Sequence, residues 1–340
     1  MKGMYLVKPG VIVSKDVPLP SLTPNEVLIK VKAVGICGSD IEYFKSGRIG
    51  NFVVESPLIL GHEVSGEVVD IGRDVTSLRI GDRVALEPGI PCGKCVFCRS
   101  GRYNLCPDIR FMGTPPIDGA FREYIAYPET FTYKIPDDLS FEEAALLEPV
   151  SVGIHATRRA DIQPGDVVAI LGAGPIGLVT LQAARIKGAA DILVTDLADY
   201  RLEIAKALGA TNVVNVGKKN PSCLTDYLKA CDVVIQTATG LEALAQSFQF
   251  VKRGGRIVLV GHLPSSQVPI DPNLLIVEEL NLFGSFRYVN TFPIAIKLVS
   301  AKLINTKILI SKTFSLADLQ MAFKYALENS HNYIKIMIKL

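Results

Sequence analysis

A chain of 340 residues exceeds the size of most single hydrophobic cores, which rarely grow past about 250 to 300 residues, so two domains are expected. The 49% hydrophobic and 21% charged residues are ordinary for a globular protein, and a formal net charge of +2 excludes the strongly basic surface typical of nucleic-acid binding. These properties favour a protein that acts on a small molecule.

Short apolar runs separated by turn residues make up the first part of the chain, up to residue 150. Examples are 27–34, Glu63–Ile71 and 82–86. Runs of this length that end at glycine or other turn residues predict β-strands. Because the strands are short and punctuated by glycine, we expect them to form a small, curled β-barrel.

From Gln163 onward, apolar strands alternate with helical runs, beginning with a strand at Val167–Leu171 and a helix at 176–187. This alternation predicts βαβ units and a doubly wound parallel sheet. The run 167–184 has no charge, but its glycines and proline divide it, so we exclude a membrane span. Further strands are predicted at 192–195, 212–216, 232–236, 256–260, 280–286 and, returning to the first domain, 333–340.

Four cysteines lie close together at Cys92, Cys95, Cys98 and Cys106. Four thiolates fill a tetrahedral zinc shell and leave no position for substrate, so this spacing predicts a closed, structural zinc site. The alternative is a disulfide framework, but the chain is large and no apolar signal segment follows Met1. We therefore expect zinc and a reducing cytoplasm.

A second, open metal site is predicted from Cys37, His62 and Glu63, which would leave one position for water or an alcohol. Glu148 has apolar neighbours and is a candidate fourth or alternating ligand, while Ser39 could pass the substrate proton toward solvent. Taken singly, each residue has another explanation: packing for the cysteine, a surface pair for His62 and Glu63, an ion pair with an arginine for Glu148.

A glycine-rich turn follows the strand at Val167–Leu171 and opens a helix. In such a turn Gly172 permits the bend, Gly174 lets the backbone approach a pyrophosphate, and Gly177 allows close helix packing. Asp196 stands where an acidic residue binds the adenosine ribose, which favours NAD over NADP; Arg201 could instead pair with a 2′-phosphate or lie on a solvated helix face. The predicted cofactor-binding residues are Gly172, Gly174, Pro175, Ile176, Gly177, Asp196 and Arg201.

These motifs, in this order, resemble the zinc-dependent medium-chain dehydrogenases along essentially the whole chain. The resemblance is carried by GHEVSGEV at 61–68, GDRV at 81–84, the cysteine cluster and GAGPIG at 172–177. EPVSVGIHA at 148–156 and FRYVNT at 286–291 are similar to the polyol branch of that family, typified by sorbitol (L-iditol) 2-dehydrogenase.

The resemblance implies a GroES-like β-barrel catalytic domain, formed by 1–150 and 288–340, and a Rossmann NAD-binding domain at 151–287. It also implies a catalytic zinc held by Cys37, His62, Glu63 and water, with Glu148 beside it. The expected reaction oxidises a secondary hydroxyl of a sugar alcohol to a ketose with NAD⁺, in a homotetramer or dimer. The expected substrate pocket consists of Tyr43, Phe111, Glu148, Arg287 and Tyr288.

Three other functions stay open at this point. A related zinc dehydrogenase could act on a diol, a hydroxy amino acid or a sugar phosphate, although Arg287 is the one basic residue predicted in the pocket. A zinc-stabilised NAD-binding protein without turnover would have no need of an open metal site. A zinc-ribbon nucleic-acid module would need more basic residues than Lys94, Arg99 and Arg102 near the cysteines.

Overall fold

The computed structural model describes residues 1–218, 222–263, 267–268 and 270–340. The strands are β1 (Lys2–Lys8), β2 (Val11–Asp16), β3 (Glu26–Gly35), β4 (Arg48–Ile49), β5 (Phe52–Val53), β6 (Leu58–Ile59), β7 (Glu63–Ile71), β8 (Arg83–Leu86), β9 (Gly89–Ile90), β10 (Arg110–Phe111), β11 (Tyr124–Pro128), β12 (Thr132–Lys134), β13 (Val167–Leu171), β14 (Asp191–Asp196), β15 (Asn212–Asn215), β16 (Cys231–Gln236), β17 (Val251–Leu259), β18 (Asn281–Gly284), β19 (Ile310–Ser315) and β20 (Lys335–Lys339). The α-helices are α1 (Gly38–Ser46), α2 (Val96–Arg99), α3 (Phe141–Ala145), α4 (Leu147–Arg159), α5 (Pro175–Ile186), α6 (Asp199–Ala207), α7 (Leu241–Phe250), α8 (Pro272–Val277), α9 (Phe292–Ser300) and α10 (Leu319–Glu328).

The chain divides into two compact units. The first contains 1–148, 292–302 and 306–340, and the second contains 149–291 and 303–305. The boundary falls inside α4, directly after Glu148. The ranges predicted from the sequence differ from this division by a few residues, and the roles assigned to them stay predictions.

The first unit is organised around β3, the longest of its strands. Its main sheet has the order β12-β8-β7-β3-β20-β19, and β11 also pairs with β3. The last strand of the chain, β20, lies antiparallel to β3 and places Met337 opposite Gly35. On the other side of β3, the first residue of β7, Glu63, also lies opposite Gly35. Strand ends that are remote in sequence therefore meet at Gly35.

Aromatic side chains fill much of the core of the first unit. The ring of Phe323, on α10, lies 4.9 Å from the ring of Phe44 and 5.9 Å from that of Phe121. All three side chains are almost completely buried. Burial of large apolar surface is the main stabilising term in a domain of this size, so α10 covers the core and holds the C-terminal strands in place.

The second unit is a parallel sheet with the order β15-β14-β13-β16-β17-β18. The order reverses between β13 and β16, and such a switch point is where open α/β sheets bind ligands. Val168, Ala169, Ile170 and Leu171 of β13 are fully buried, as expected for a central strand covered on both faces.

The uncharged run at 167–184 is split between β13 and α5, as its glycines and proline predict. Among the residues that the structure describes, no helix has the length and apolar character needed to cross a membrane.

Candidate active site and metal centres

Cys37, His62 and Glu63 come together in the first unit, where β3 ends and β7 begins. One potential ligand atom from each residue lies within 4.8 Å of those of the other two. Cys37 follows the end of β3 and caps α1, and Glu63 is the first residue of β7. Because β3 and β7 pair with Gly35 opposite Glu63, the sheet register itself brings the cysteine beside the carboxylate.

Asp40 orients this group from the first turn of α1. Its side chain is completely buried, its Oδ2 accepts the N–H of Cys37 at 2.9 Å, and its Oδ1 accepts the N–H of Gly61 at 2.9 Å. The same Oδ1 lies 3.7 Å from Nδ1 of His62. One carboxylate thus holds the backbone at Cys37 and at Gly61, which directly precedes His62, and it also polarises the imidazole.

The electrostatics of His62 favour a bound cation. Burial by itself would lower the pKa of this imidazole, but the charges of Asp40 and Cys37 raise it well above its ordinary value. The same negative charges that favour a proton on this imidazole favour a metal ion, which competes with the proton for the ring. The ring of Phe111, whose centroid lies 5.5 Å from that of His62, shields one side.

Glu63 has one oxygen in use and one without a partner. Its Oε1 accepts the Nζ–H of Lys335 at 2.6 Å, while Oε2 is buried and has no hydrogen-bond partner among the described residues. A buried carboxylate oxygen is costly to leave unpaired. The Cys37 thiol and the His62 imidazole have ligand atoms within 4.8 Å of a Glu63 oxygen, so the three residues together form a donor set that fits a zinc ion with one open position.

Glu148 and Ser39 are the other predicted catalytic residues. Glu148 is buried near the start of α4. Burial alone would lower the pKa of Lys335, but the charges of Glu63, Cys37 and, to a smaller extent, Glu148 raise it above its ordinary value. Ser39 is half-buried in the first turn of α1, two residues after Cys37. Ser39 thus lies on the helix that Cys37 caps, whereas Glu148 lies on α4, which carries none of the three predicted ligands.

The five residues predicted for the substrate pocket are divided between the units. Tyr43, on α1, and Phe111, on β10, are buried in the first unit, which also contains Glu148. Arg287 and Tyr288 belong to the second unit, where Tyr288 is buried. Arg287 has a φ of 51°, a left-handed conformation that non-glycine residues adopt rarely and often at functional positions.

The four clustered cysteines also meet the requirements of a metal site. Their sulfur atoms lie within 4.8 Å of one another, with 3.3 Å between Cys95 and Cys98 and 3.9 Å between Cys92 and Cys98. A tetrahedron of thiolates around zinc has edges of about 3.8 Å. Backbone N–H groups of Lys94 and Cys95 lower the pKa of Cys92 to about 7, which favours the thiolate that a metal binds. The fourth member is Cys106, which is buried.

In the second unit, the glycine-rich turn between β13 and α5 leaves room for a ligand at one glycine only. A Cβ on Gly172, which has a φ of 110°, would lie 2.9 Å from the nitrogen of Ala238, and one on Gly177 would lie 1.8 Å from the oxygen of Gly172. A Cβ on Gly174 would meet nothing closer than an Arg201 nitrogen at 3.9 Å. Gly174 caps α5, so it presents open space and free N–H groups to an anion. Pro175 and Ile176, in the first turn of α5, are half-buried.

Asp196 ends β14 and closes the same turn. Its Oδ2 accepts the N–H of Ala173 at 2.7 Å, and its Oδ1 accepts the N–H groups of Leu197 at 2.8 Å and Ala198 at 2.9 Å. Nη1 of Arg201 lies 4.0 Å from Oδ2. Carboxylate oxygens accept more than one hydrogen bond, so both oxygens can still receive ribose hydroxyls.

Comparison with known proteins identifies the family of this chain. Residues 23–137 match the model of the alcohol dehydrogenase GroES-like domain, and residues 175–301 match that of the zinc-binding dehydrogenases. The chain belongs to the zinc-binding alcohol dehydrogenases. The predicted fold class is thereby confirmed, a GroES-like domain with a Rossmann-type parallel-sheet domain, and so are dehydrogenase activity and the use of zinc and NAD.

Several relatives of this zinc-binding dehydrogenase act on polyhydroxylated substrates. The chain is 44% identical to the sorbitol dehydrogenase of Bacillus subtilis over 99% of its own length and 97% of that protein. It is 41% identical to the L-idonate 5-dehydrogenase of Vitis vinifera, over 95% and 90% of the two chains. Its fold matches that of an Escherichia coli dehydrogenase of unknown specificity with a TM-score of 0.94 and 40% identity, over 99% and 98% of the chains.

Two residues beside the predicted zinc ligands could not be assigned a role from the sequence. Asp40 stands in the GICGSD segment, but nothing in its spacing shows that its carboxylate turns back to Cys37 and His62. Lys335 lies 272 residues from its partner Glu63. The only available signal was a lysine within the apolar strand pattern near the C-terminus.

Replacing Asp40 with Asn should weaken zinc binding at this group. An amide would direct an N–H donor at the N–H of Cys37 or of Gly61, which are both donors already. We expect a loss of roughly 10–100-fold in zinc affinity, the usual cost of disturbing a ligand's hydrogen-bond partner. Zinc content measured during competition with a chelator tests this, with Glu42→Gln, an exposed change on the same helix, as the control. Equal zinc retention by the two variants would contradict the role of Asp40.

Proposed function

We propose that the protein oxidises a secondary hydroxyl of a sugar alcohol to a ketose, with hydride transfer to NAD⁺. The observation that carries this proposal is the group of Cys37, His62 and Glu63, whose ligand atoms lie within 4.8 Å of one another. Three protein ligands leave a fourth position for a hydroxyl oxygen, unlike the closed shell of four cysteines. The sorbitol dehydrogenase relatives support a polyol as the substrate.

Each side chain has a distinct task in this reaction. When bound, zinc supplies a Lewis acid for the hydroxyl oxygen, and NAD⁺ supplies the hydride acceptor. Cys37, His62 and Glu63 hold the metal. The hydroxyl proton leaves through Ser39 or Glu148, and the carbon gives up a hydride, so that alcohol and NAD⁺ become ketone, NADH and a proton.

The proposed substrate pocket combines donors with an apolar shield. Of the residues that the sequence assigns to substrate, Tyr43, Arg287 and Tyr288 have side chains that can hydrogen-bond the several hydroxyls of a polyol. Phe111 adds an apolar ring whose centroid lies 5.5 Å from that of His62. A site built to hydrogen-bond such hydroxyls discriminates strongly against a simple alcohol that lacks them. A sugar acid is the second candidate, favoured by the L-idonate 5-dehydrogenase relative and by the positive charge of Arg287.

We assign the nucleotide site to Gly172, Gly174, Gly177, Asp196 and Arg201, and we infer a preference for NAD over NADP. The open space above Gly174, together with the start of α5, suits the pyrophosphate. Asp196 suits the ribose hydroxyls, and its negative charge would repel a 2′-phosphate. Arg201, the cation that could otherwise pair with that phosphate, lies 4.0 Å from this carboxylate.

The four-cysteine cluster has a structural role in this proposal. Its thiols are free in the structure, and we infer that they hold zinc in the reducing environment of the cytoplasm. We also propose a homo-oligomer, tetrameric or dimeric. Supporting it, β18 is an edge strand of its sheet, and Ile276 and Val277 on α8 are each 72% exposed.

The proposed reaction should be seen as NADH formation from sugar alcohols. Sorbitol, xylitol, ribitol, galactitol, 2,3-butanediol and L-idonate are compared with NAD⁺, with and without a chelator. We expect polyols to be oxidised and the chelator to stop turnover. Cys37→Ala and His62→Ala should reduce kcat/KM by roughly 100-fold or more, because the stabilisation that the metal supplies is worth several kcal/mol.

NADH binding, measured by fluorescence, is the control for these variants and should change little. Oxidation of L-idonate alone would replace the polyol proposal with the sugar-acid alternative. Full activity of Cys37→Ala would contradict the ligand assignment itself.

A matched pair of cysteine variants should distinguish the roles of the two proposed zinc sites. Cys37→Ser and Cys95→Ser are each expected to lose one of the two zinc ions that the two clusters imply. Cys95→Ser should lower the melting temperature by several degrees, because a structural zinc contributes directly to folding. Cys37→Ser should chiefly remove activity. Elemental analysis and thermal unfolding give both readouts, and an unchanged melting temperature for Cys95→Ser would speak against a structural role.

Asp196→Ala should raise the use of NADP relative to NAD. Removing the carboxylate removes a like-charge contact with a 2′-phosphate, so the ratio of kcat/KM values should move toward NADP by roughly tenfold or more. Asp199→Ala, a nearby exposed carboxylate paired with Lys218, is the matched control. If both variants keep the wild-type ratio, another residue recognises the ribose.

A further inference from the structure

Lys335 is a buried lysine that the proposed reaction has not yet used. Its side chain is 3% exposed, and its Nζ donates to Glu63 Oε1 at 2.6 Å and to the carbonyl of Ile36 at 3.1 Å. Lysine is almost never this deeply buried without a specific partner. Here both of its partners lie beside the candidate metal centre: Ile36 directly precedes Cys37, and Glu63 directly follows His62.

The carboxylate of Glu63 is confined from two directions. The ammonium of Lys335 donates a hydrogen bond to Oε1. The other oxygen, Oε2, lies against Gly35, where an added Cβ would come within 2.0 Å of it. Because Gly35 has no side chain, the carboxylate fits between β3 and the cation without displacing the backbone. Oε2 is left buried, with no hydrogen-bond partner among the described residues.

We propose that Lys335 is a positioning residue for the metal centre: it holds Oε1 of Glu63, so that Oε2 alone is available to zinc. The inference rests on the proposed function, since it takes Glu63 as a ligand. A carboxylate that offers one oxygen fills one coordination position, which preserves the position that the substrate hydroxyl needs. The ammonium also offsets the buried negative charge of Glu63, which it contacts at 2.6 Å.

A purely stabilising role does not account for this pair. Replacing a buried ion pair with apolar side chains is often neutral or favourable to stability, so burial of Lys335 and Glu63 calls for another benefit. A second lysine on β20, Lys339, provides a contrast with Lys335. Lys339 pairs with Glu142 at 2.5 Å, but this lysine side chain is 57% exposed and its partner is not one of the proposed metal ligands. Lys339 therefore provides a matched control on β20.

The test compares Lys335→Met, Lys335→Arg and Lys339→Met in the full-length protein loaded with cobalt(II), whose visible absorption bands report the number and kind of ligands. For Lys335→Met we expect altered and weaker bands, because Glu63 becomes free to bind through both oxygens. We also expect a loss of roughly 10–100-fold in zinc affinity, measured by chelator competition. Lys335→Arg should recover most of both properties, and Lys339→Met should match the wild type.

A Lys335→Met protein with the wild-type spectrum and zinc affinity would overturn the inference, as would a Lys339→Met protein changed to the same degree. Glu63→Ala separates this failure from failure of the proposed function. If Glu63→Ala keeps the wild-type zinc content and spectrum, Glu63 is not a ligand and the proposed ligand set is wrong. If Glu63→Ala changes them and Lys335→Met does not, only the role of Lys335 is wrong.

Lys335→Met also has an informative outcome if it does not fold. The double variant Glu63→Gln with Lys335→Met removes both charges of the pair. Folding of the double variant alone would show that the uncompensated carboxylate caused the failure, which supports the pairing of Lys335 with Glu63. Failure of both would show that Lys335 is needed for the fold whatever stands at position 63, and would overturn the inference.

Discussion

The buried carboxylate of Glu63 is the constraint on which the candidate metal centre of the first unit depends. Its residue is 1% exposed, and an uncompensated charge at such a depth would cost several kcal/mol. Lys335 supplies the compensation from β20, and Gly35 supplies the space. The sheet order, with β3 between β7 and β20, is what allows a cation and a carboxylate from distant parts of the chain to meet across one glycine.

Asp40 orients the ligands Cys37 and His62, as Lys335 orients Glu63. It accepts the N–H groups of Cys37 and Gly61 and lies beside His62, so the positions of the thiol and the imidazole depend on one buried acid. A metal ligand that is held by a second residue stays in place when the metal leaves, which makes rebinding favourable. The candidate catalytic group is therefore built from pairs, each consisting of a ligand and the residue that orients it.

The proposed nucleotide site of the second unit is built differently. Its binding surface is mainly backbone: the turn from Gly172 to Gly177, the start of α5, and an acid, Asp196, held by three N–H groups. Phosphate binding by backbone N–H groups depends little on side-chain identity, whereas the proposed substrate pocket consists of side chains. Polyol and L-idonate dehydrogenases among the relatives agree with a constant chemistry combined with a variable pocket.

Features whose cause is local could be predicted from the sequence alone. The strands Glu63–Ile71 and Val167–Leu171, the glycine-rich turn and the cysteine cluster were all predicted, because hydrophobic period, glycine placement and ligand spacing are properties of a few neighbouring residues. The pairing of Lys335 with Glu63, across 272 residues, and the direction of the Asp40 carboxylate were decided by the tertiary structure. Both depend on which strand ends lie side by side, and strand order is set by burial of the whole core rather than by any local pattern.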